Sequence, residues 1–339
     1  MDYDSAGVSL QDRDMYVAKL AAKMPWLGGH CGAIDIGDNY LVSSSDGVGS
    51  KAYLYQENKD VEGVSIKNLG QDLVAMVFND IVCSGASPMF MNDYLAVPSI
   101  NDEYLELIDS IQASLKTLEG SPGLISGETS IQPHLTKFDI AGFGVGACPK
   151  KNYIDGKEIK EDDVILGLRS SGFHSAGYEL IRKVWLEKES FRSKDRNEII
   201  KLLLTPSRIY VNTILAMLRK YAPSVHGMCH IGGGGRENLN RLMGENLNLR
   251  PRWNDNWTKP PEFEFIQKAG KISDQEMRRV FNDGIGMMLV VDPNEVVGIV
   301  EYLEKLGEGV VVCGTISTRF TQTVNPETGR VNEQPTLLN

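Results

Sequence analysis

The sequence predicts an α+β protein of two domains, a mixed N-terminal domain followed by a C-terminal α/β domain. Three observations carry this. The chain has 339 residues, more than a single core usually serves. Its first half mixes several strand-like runs with two amphipathic helices, and its second half ends in an αβαβ pattern. Between them lies the charged, lysine-rich stretch Pro149–Asp163. We place the domains at 1–150 and 160–325, with a polar, frayed tail at 326–339.

The elements follow in order. A helical patch at Tyr16–Ala22 precedes the segment Trp26-Leu-Gly-Gly-His30. Cys31–Ile36 and Tyr40–Ser44 read as strands joined through Gly37-Asp38-Asn39, which is hairpin chemistry. Residues 65–84 form a helix, because Leu69, Leu73, Met76, Val77 and Ile81 recur at helical spacing, and Gly85-Ala-Ser-Pro88 stops it. Met89–Val97 is a strand, Asp102–Leu118 an amphipathic helix, and Gly123–Ser126 and Phe138–Ala147 are further strands. The second half opens with a buried-type strand at Asp163–Arg169, a turn at Ser170–His174 and a helix from Ser175 to Lys188. The charged stretch Glu187–Lys201 suits a solvated surface. A helix at Tyr210–Tyr221 and a strand from His226 lead into four glycines, Gly232–Gly235. Residues 251–262, rich in Pro and Trp, read as irregular. Helix Asp274–Phe281, strand Gly286–Val291, helix Asn294–Leu306 and strand Val310–Ser317 close the pattern.

Composition excludes several classes. With 42% apolar and 24% charged residues the chain is an ordinary globular protein. A formal net charge of −10, with no clustered Lys and Arg, argues against a nucleic-acid partner. No run of residues approaches a membrane span, and the opening Met1–Asp14 is acidic where a signal peptide is basic and then apolar, so a cytoplasmic location without membrane contact is expected. The five cysteines are odd in number and widely spaced, which favours free thiols over disulfides or zinc.

Five stretches carry chemistry. In Asp46-Gly-Val-Gly-Ser-Lys51, Gly47 and Gly49 let backbone N–H groups approach an anion, Val48 lies between them, Ser50 adds a hydroxyl, Lys51 a mobile charge and Asp46 a hard oxygen for Mg²⁺. The same residues also fit a simple turn at a strand end. On helix 65–84, Asn68, Asp72 and Asn79 fall within about 40° of one another at 100° per residue, with Asp80 at the other edge of this polar stripe. A solvated face would explain the stripe. So dense an apolar surround points instead to burial, where a carboxylate needs a partner such as a metal. Ser126-Gly-Glu128-Thr129 reads as a turn after a strand, with Glu128 either a ligand or a plain loop residue. Ser170-Ser-Gly-Phe-His174-Ser175 lies between strand and helix, where free N–H groups meet anions and a histidine exchanges protons; a capping serine and a satisfied histidine fit equally. Gly232, Gly233 and Gly234 open a fifth, phosphate-compatible loop whose entropy cost makes a mere spacer unattractive.

Taken together these stretches resemble the aminoimidazole ribonucleotide synthetase family, also called phosphoribosylformylglycinamidine cyclo-ligase. The resemblance runs from Tyr3-Asp-Ser-Ala-Gly-Val8 to about Ile316. It includes Asp46–Lys51, Asp80-(x)4-Gly85-Ala-Ser-Pro88, Ser126–Thr129, Asp139-Ile-Ala-Gly-Phe143, Ser170–Ser175, Thr205-Pro-Ser-Arg-Ile-Tyr-Val211, Gly232-Gly-Gly and Phe281-Asn-Asp-Gly-Ile-Gly-Met287. The Asp46 and Asp80 motifs are shared across a wider ATP-binding superfamily that includes formylglycinamide ribonucleotide amidotransferase and thiamin-phosphate kinase. Ala6–Val8, Arg208–Val211 and Phe281–Met287 are similar to the cyclo-ligase in particular. Ser50 and Ser126 depart from the usual Thr and Gly, and the loop after Thr129 is short. The resemblance implies a homodimer with a β-barrel formed across it, and ATP-dependent ring closure of formylglycinamidine ribonucleotide. It also implies Mg²⁺ on Asp46, Asp80 and Glu128, with Asp72 and Asn79 as further candidates. ATP would meet residues 46–50 and Asn79; Lys51 and His174 would be catalytic; Ser175 and Gly232–Gly234 would hold the substrate. Another member of the superfamily, a small-molecule kinase or amidotransferase-like enzyme, and a non-catalytic nucleotide-binding relative are the alternatives.

Overall fold

A computed structural model describes residues 1–24, 31–187, 196–243, 248–318, 320–324 and 331–335. The predicted segment Trp26–His30, the centre of the charged stretch Glu187–Lys201, and residues 326–330 and 336–339 of the tail lie outside the described residues.

The first half begins with helix α1 (Leu10–Lys23), then strands β1 (Gly32–Asp35) and β2 (Asn39–Gly47), which pair antiparallel through the expected turn. Short helix α2 (Lys51–Gln56) follows, then α3 (Lys67–Val82), β3 (Ser87–Val97), α4 (Glu103–Lys116), β4 (Gly123–Ile131) and β5 (Asp139–Pro149). The sheet runs β1-β2-β5-β3-β4; only β3 and β4 are parallel. Helices α3 and α4 cover one face, and Leu73, Val77, Phe78 and Ile81 pack on glycines of β5. A Cβ at Gly144 would lie 2.3 Å from Val77 Cγ1, so the smallness of β5 is what lets α3 approach the sheet. The other face is uncovered, and Ile34, Met89, Tyr94 and Phe143 are exposed on it or at its rim.

The second half comprises β6 (Val164–Arg169), α5 (Tyr178–Glu187), α6 (Arg196–Leu203), α7 (Val211–Tyr221), β7 (Val225–His230), β8 (Leu249–Trp253), α8 (Pro261–Gly270), α9 (Asp274–Val280), β9 (Ile285–Val291), α10 (Val296–Lys305) and β10 (Val310–Thr318). Its sheet, ordered β7-β9-β6-β10-β8, is antiparallel throughout, so the expected α/β character holds in content but not as parallel crossovers. Every residue of β9 is buried, because one side meets the large core shared with α5 and α7 and the other meets Leu239, Trp257 and Ile316. β11 (Phe320–Val324) and β12 (Val331–Pro335) form a separate two-stranded ribbon, so part of the tail is paired.

Three expectations need correction. Residues 251–262 are not irregular throughout: β8 takes Leu249–Trp253 against β10, and α8 starts at Pro261, proline being well suited to a first helical turn. Gly123–Ser126 does not end in a turn, since β4 continues through Glu128 to Ile131. The N-terminus belongs spatially to the second half: the Met1 ammonium donates to the Gly270 carbonyl, Tyr3 N–H to Glu276 and Lys183 to the Ser5 carbonyl. Among the described residues the five cysteines are free thiols and no helix is long and apolar enough to cross a membrane. The first sheet is an open, five-stranded layer in this single chain, without barrel closure.

Candidate active site at the junction of the two halves

In the polar stripe of α3, Asp72 and Asn79 are buried and Asn68 half-buried, and the three face the segment Leu204–Tyr210 of the second half. Asn68 donates to the Leu204 carbonyl at 3.2 Å and Gln71 to that of Ser207 at 2.8 Å. Asp72 Oδ1 accepts from Lys51 Nζ at 2.8 Å, from Ser207 N at 2.7 Å and from Ser207 Oγ at 2.5 Å. Asn79 donates to the Arg208 carbonyl and accepts from Tyr210 N, both at 2.9 Å. This stripe is a seam between the two halves: it satisfies backbone groups that α6 and α7 leave unpaired, each bond worth about 1 kcal/mol net.

The seam corrects three expectations. The partner of Asp72 is Lys51 rather than a metal. Lys51 is fully buried, and its ammonium also donates to the Thr205 carbonyl at 2.7 Å, so it lies inside the seam instead of reaching open space. The first turn of α2 directs it there; burial pulls its pKa down and Asp72 works against that shift. Asn79 commits one amide N–H and one lone pair of its carbonyl oxygen to backbone groups of the seam, so its bonds lie in the contact between the halves instead of toward a nucleotide.

Around the seam are the remaining expected residues. Asp46 sits at the end of β2 on the α3 side, its carboxylate accepting from Gly47 N at 2.7 Å. Burial, then the charge of Asp80, raises its pKa to about 6. Gly49 takes φ +55°, Val48 is buried, and Ser50 Oγ donates to Glu179. Asp80, near the end of α3, accepts from His230 Nδ1 at 2.9 Å. Glu128 does not join them. The register row Asp46, Gly142, Asp93, Gly127 crosses the sheet on the α3 side, so Glu128, one residue on, points to the opposite face, three strands away and exposed. Among the described residues no three acidic, His or Cys side chains converge on a metal position. Asp46 and Asp80 alone still fit Mg²⁺, which commonly takes one or two carboxylates and fills its shell with phosphate and water.

His174 is buried and holds φ +57°, a left-handed conformation unusual for a side chain of its size. Its Nε2 accepts from Ser171 N at 3.2 Å and Arg208 N at 3.4 Å, which assigns the proton to Nδ1, and that N–H has no acceptor among the described residues. Burial, aided by nearby His230, Lys51 and Arg208, lowers its pKa well below the ordinary value, so the ring is neutral. His230 has the complementary arrangement. Its Nδ1 faces Asp80, and its buried Nε2 lone pair is without a partner. The ring centroids are 6.5 Å apart. One imidazole thus holds a buried donor and the other a buried acceptor, each without a partner among the described residues. Ser175 Oγ lies 3.4 Å from Ser207 Oγ, at the seam.

His230 was missed as a functional residue by the sequence reading; its signal was its place immediately before the glycine loop. That loop starts above α3, where a Cβ on Gly232 would lie 3.6 Å from Met76 Cε. Further along it meets helix α1, Arg13 Nη1 donating to the Gly233 carbonyl at 3.3 Å.

Residues 28–148 match the N-terminal domain, and 160–325 the C-terminal domain, of the family described as AIR synthase related protein. The chain is 37% identical to a phosphoribosylformylglycinamidine cyclo-ligase of Thermoanaerobacter sp., covering 93% of this chain and 97% of that protein. It is 41% identical to the protein of that name from Pseudothermotoga lettingae, over 81% of each. Among solved structures it is similar to AaThiL in complex with AMPPCP and TMP, with a TM-score of 0.64, 11% identity and coverage of 91% and 90%. T. maritima PurL in complex with ATP gives 0.56 at 15% identity, covering 94% of this chain and 51% of that one. At these identities the structural likenesses establish the fold.

Proposed function

The chain belongs to the phosphoribosylformylglycinamidine cyclo-ligase family, and from that premise we propose that it uses ATP to close formylglycinamidine ribonucleotide into aminoimidazole ribonucleotide, with release of ADP and phosphate, a step of de novo purine biosynthesis. The observation that carries the reading is the neighbouring pair His174 and His230, each with one buried, unpartnered ring nitrogen, a donor on the first and an acceptor on the second, which suit the amide and amidine groups of that substrate. ATP transfers its γ-phosphoryl group to the formyl oxygen. The ring-forming nitrogen then attacks the formyl carbon, and the C–O bond breaks with the oxygen leaving in phosphate.

His174, neutral and unable to act as a strong acid, orients the substrate through Nδ1–H. His230 Nε2 accepts an N–H of the amidine, its tautomer set by Asp80. Mg²⁺ on Asp46 and Asp80 supplies neutralisation of phosphoryl charge when bound. The Gly47–Gly49 backbone and Ser50 border the nucleotide, and Ser175 the substrate. Gly232–Gly234 hold the substrate's 5′-phosphate. Lys51 supports the site by holding Asp72 and the 205–207 segment in place. The protein acts as a cytoplasmic homodimer: the uncovered face of the first sheet, with Tyr94 and Phe143 exposed, is the surface that barrel formation with a second copy would bury.

Incubation with ATP, Mg²⁺ and formylglycinamidine ribonucleotide is expected to release ADP and free phosphate in equal amounts, dependent on the ribonucleotide. Absence of ADP at saturating substrate would sink the proposal. Phosphate retained on the organic product would make the protein a kinase of the same superfamily.

A further inference from the structure

Beyond the glycine loop the structure holds a cleft of about 750 Å³, between α1 and the 3₁₀ helix Gly235–Met243. Its walls carry three arginines, Arg13, Arg241 and Arg279, against two carboxylates, Asp14 and Glu237. Its lining includes Gly234, whose φ of +105° is one that residues with a side chain rarely adopt, and a Cβ placed there would lie 3.4 Å from Arg13 Nη2. The loop turn is closed by Gly235 N–H on the Gly232 carbonyl at 3.2 Å, and among the described residues the N–H groups of Gly233 and Gly234 have no acceptor. Helix α1 buries only Leu10, so it stands as a wall of this cleft and not as part of the core.

Resting on the reading of Gly232–Gly234 given above, we propose that Arg13, Arg241 and Arg279 complete a metal-independent subsite for a phosphomonoester, the 5′-phosphate of a ribonucleotide. A guanidinium matches a phosphate with paired N–H donors, and Gly234, which lines the cleft, adds an unpaired amide. The cleft volume is that of an ordinary small-ligand site. The cation set distinguishes it from the nucleotide arm: at Asp46 and Asp80 two acids call for a metal between protein and polyphosphate, whereas here the protein's own cations reach the anion. Arg13 now spends its Nε and Nη2 on exposed Asp14, at 3.1 and 2.8 Å, and the dianion would take Asp14's place.

The test is calorimetric titration of the whole protein with ribose 5-phosphate and with ribose, repeated for Arg13→Ala and Arg241→Ala. Ribose 5-phosphate is expected to bind, ribose not, and each substitution to weaken binding about ten- to hundredfold while leaving ATP–Mg²⁺ affinity unchanged. Equal binding by parent and both variants, or loss of ATP binding in parallel, would overturn the subsite. Steady-state KM for the ribonucleotide separates the two proposals. If the parent turns over and the variants keep its KM, the subsite falls and the cyclo-ligase reading stands. Arginine-dependent binding of ribose 5-phosphate without turnover by the parent would leave the subsite and remove the reading.

Discussion

Two glycine turns, Gly47–Gly49 and Gly232–Gly235, read alike in sequence and end differently. The first is drawn into the protein: Val48 is buried, Ser50 is bonded to Glu179, and Lys51 is paired with Asp72. The second stays open, with the Gly233 and Gly234 amides unpaired among the described residues and arginines along one side. The difference teaches that a residue type suited to phosphate becomes a phosphate contact only where the protein leaves its donors unspent. Near the first turn the open valence is on the carboxylates Asp46 and Asp80; near the second it is on the Gly233 and Gly234 N–H groups, beside an Arg13 held by an exposed carboxylate that an anion would displace.

The largest effect that could break this contrast is at Lys51. Lys51→Ala would leave Asp72 as a buried, uncompensated charge and is expected to cost about 3–5 kcal/mol, read as a lower denaturant midpoint. Lys51→Met with Asp72→Asn, which removes both charges and keeps an acceptor for Ser207, should recover part of that loss. If Lys51→Ala kept its midpoint and lost only turnover, the lysine would be a phosphoryl contact after all.

The second turn provides the next test. Gly235 holds φ +57°, and a Cβ there would lie 2.1 Å from the Arg278 carbonyl oxygen, whereas Gly233 has open space around its Cβ position. Gly235→Ala is therefore expected to cost about 2 kcal/mol or more, and Gly233→Ala to stay within about 0.5 kcal/mol of the parent while raising KM for the ribonucleotide. Equal stability losses would mean that the loop is a structural spacer.

A smaller effect concerns pH. Asp93 shares the sheet row of Asp46, and burial raises its pKa to about 6. A folded pKa above the unfolded one means that ionising this carboxyl costs stability, with no penalty below about pH 4 and the full penalty above about pH 6. Asp93→Asn should then stabilise the protein by about 1–2 kcal/mol at pH 8 and by nothing at pH 4. Thermal melts across that range check the sign. The smallest change is expected at Glu128: Glu128→Gln should leave stability within about 0.5 kcal/mol and turnover near that of the parent, because the side chain faces away from Asp46. A loss of about a hundredfold in kcat would return Glu128 to the metal.

Much of the fold was legible because apolar periodicity reports burial directly, as in α3 and β9. The stripe Asn68, Asp72, Asn79 was legible as a buried polar face, but its partners were not, since they lie well over a hundred residues away in an extended segment without periodicity. Glu128 was misplaced because a turn after Ser126 would have freed its direction, while a continuing strand fixes alternate faces. Strand β8 was hidden by Pro251 and Trp253, tolerable there because β8 is an edge strand. His230 and the arginines of the cleft carried no local pattern at all. Only packing brings Arg13 to Gly233.

The central claim, that the formyl oxygen is the phosphoryl acceptor and leaves during ring closure, is tested most directly by labelling that oxygen with a heavy isotope and analysing the phosphate released. The label is expected in inorganic phosphate, one atom per molecule of aminoimidazole ribonucleotide formed. Unlabelled phosphate, with its oxygen drawn from solvent, would show that ATP is hydrolysed without activating the formyl group and would contradict the account.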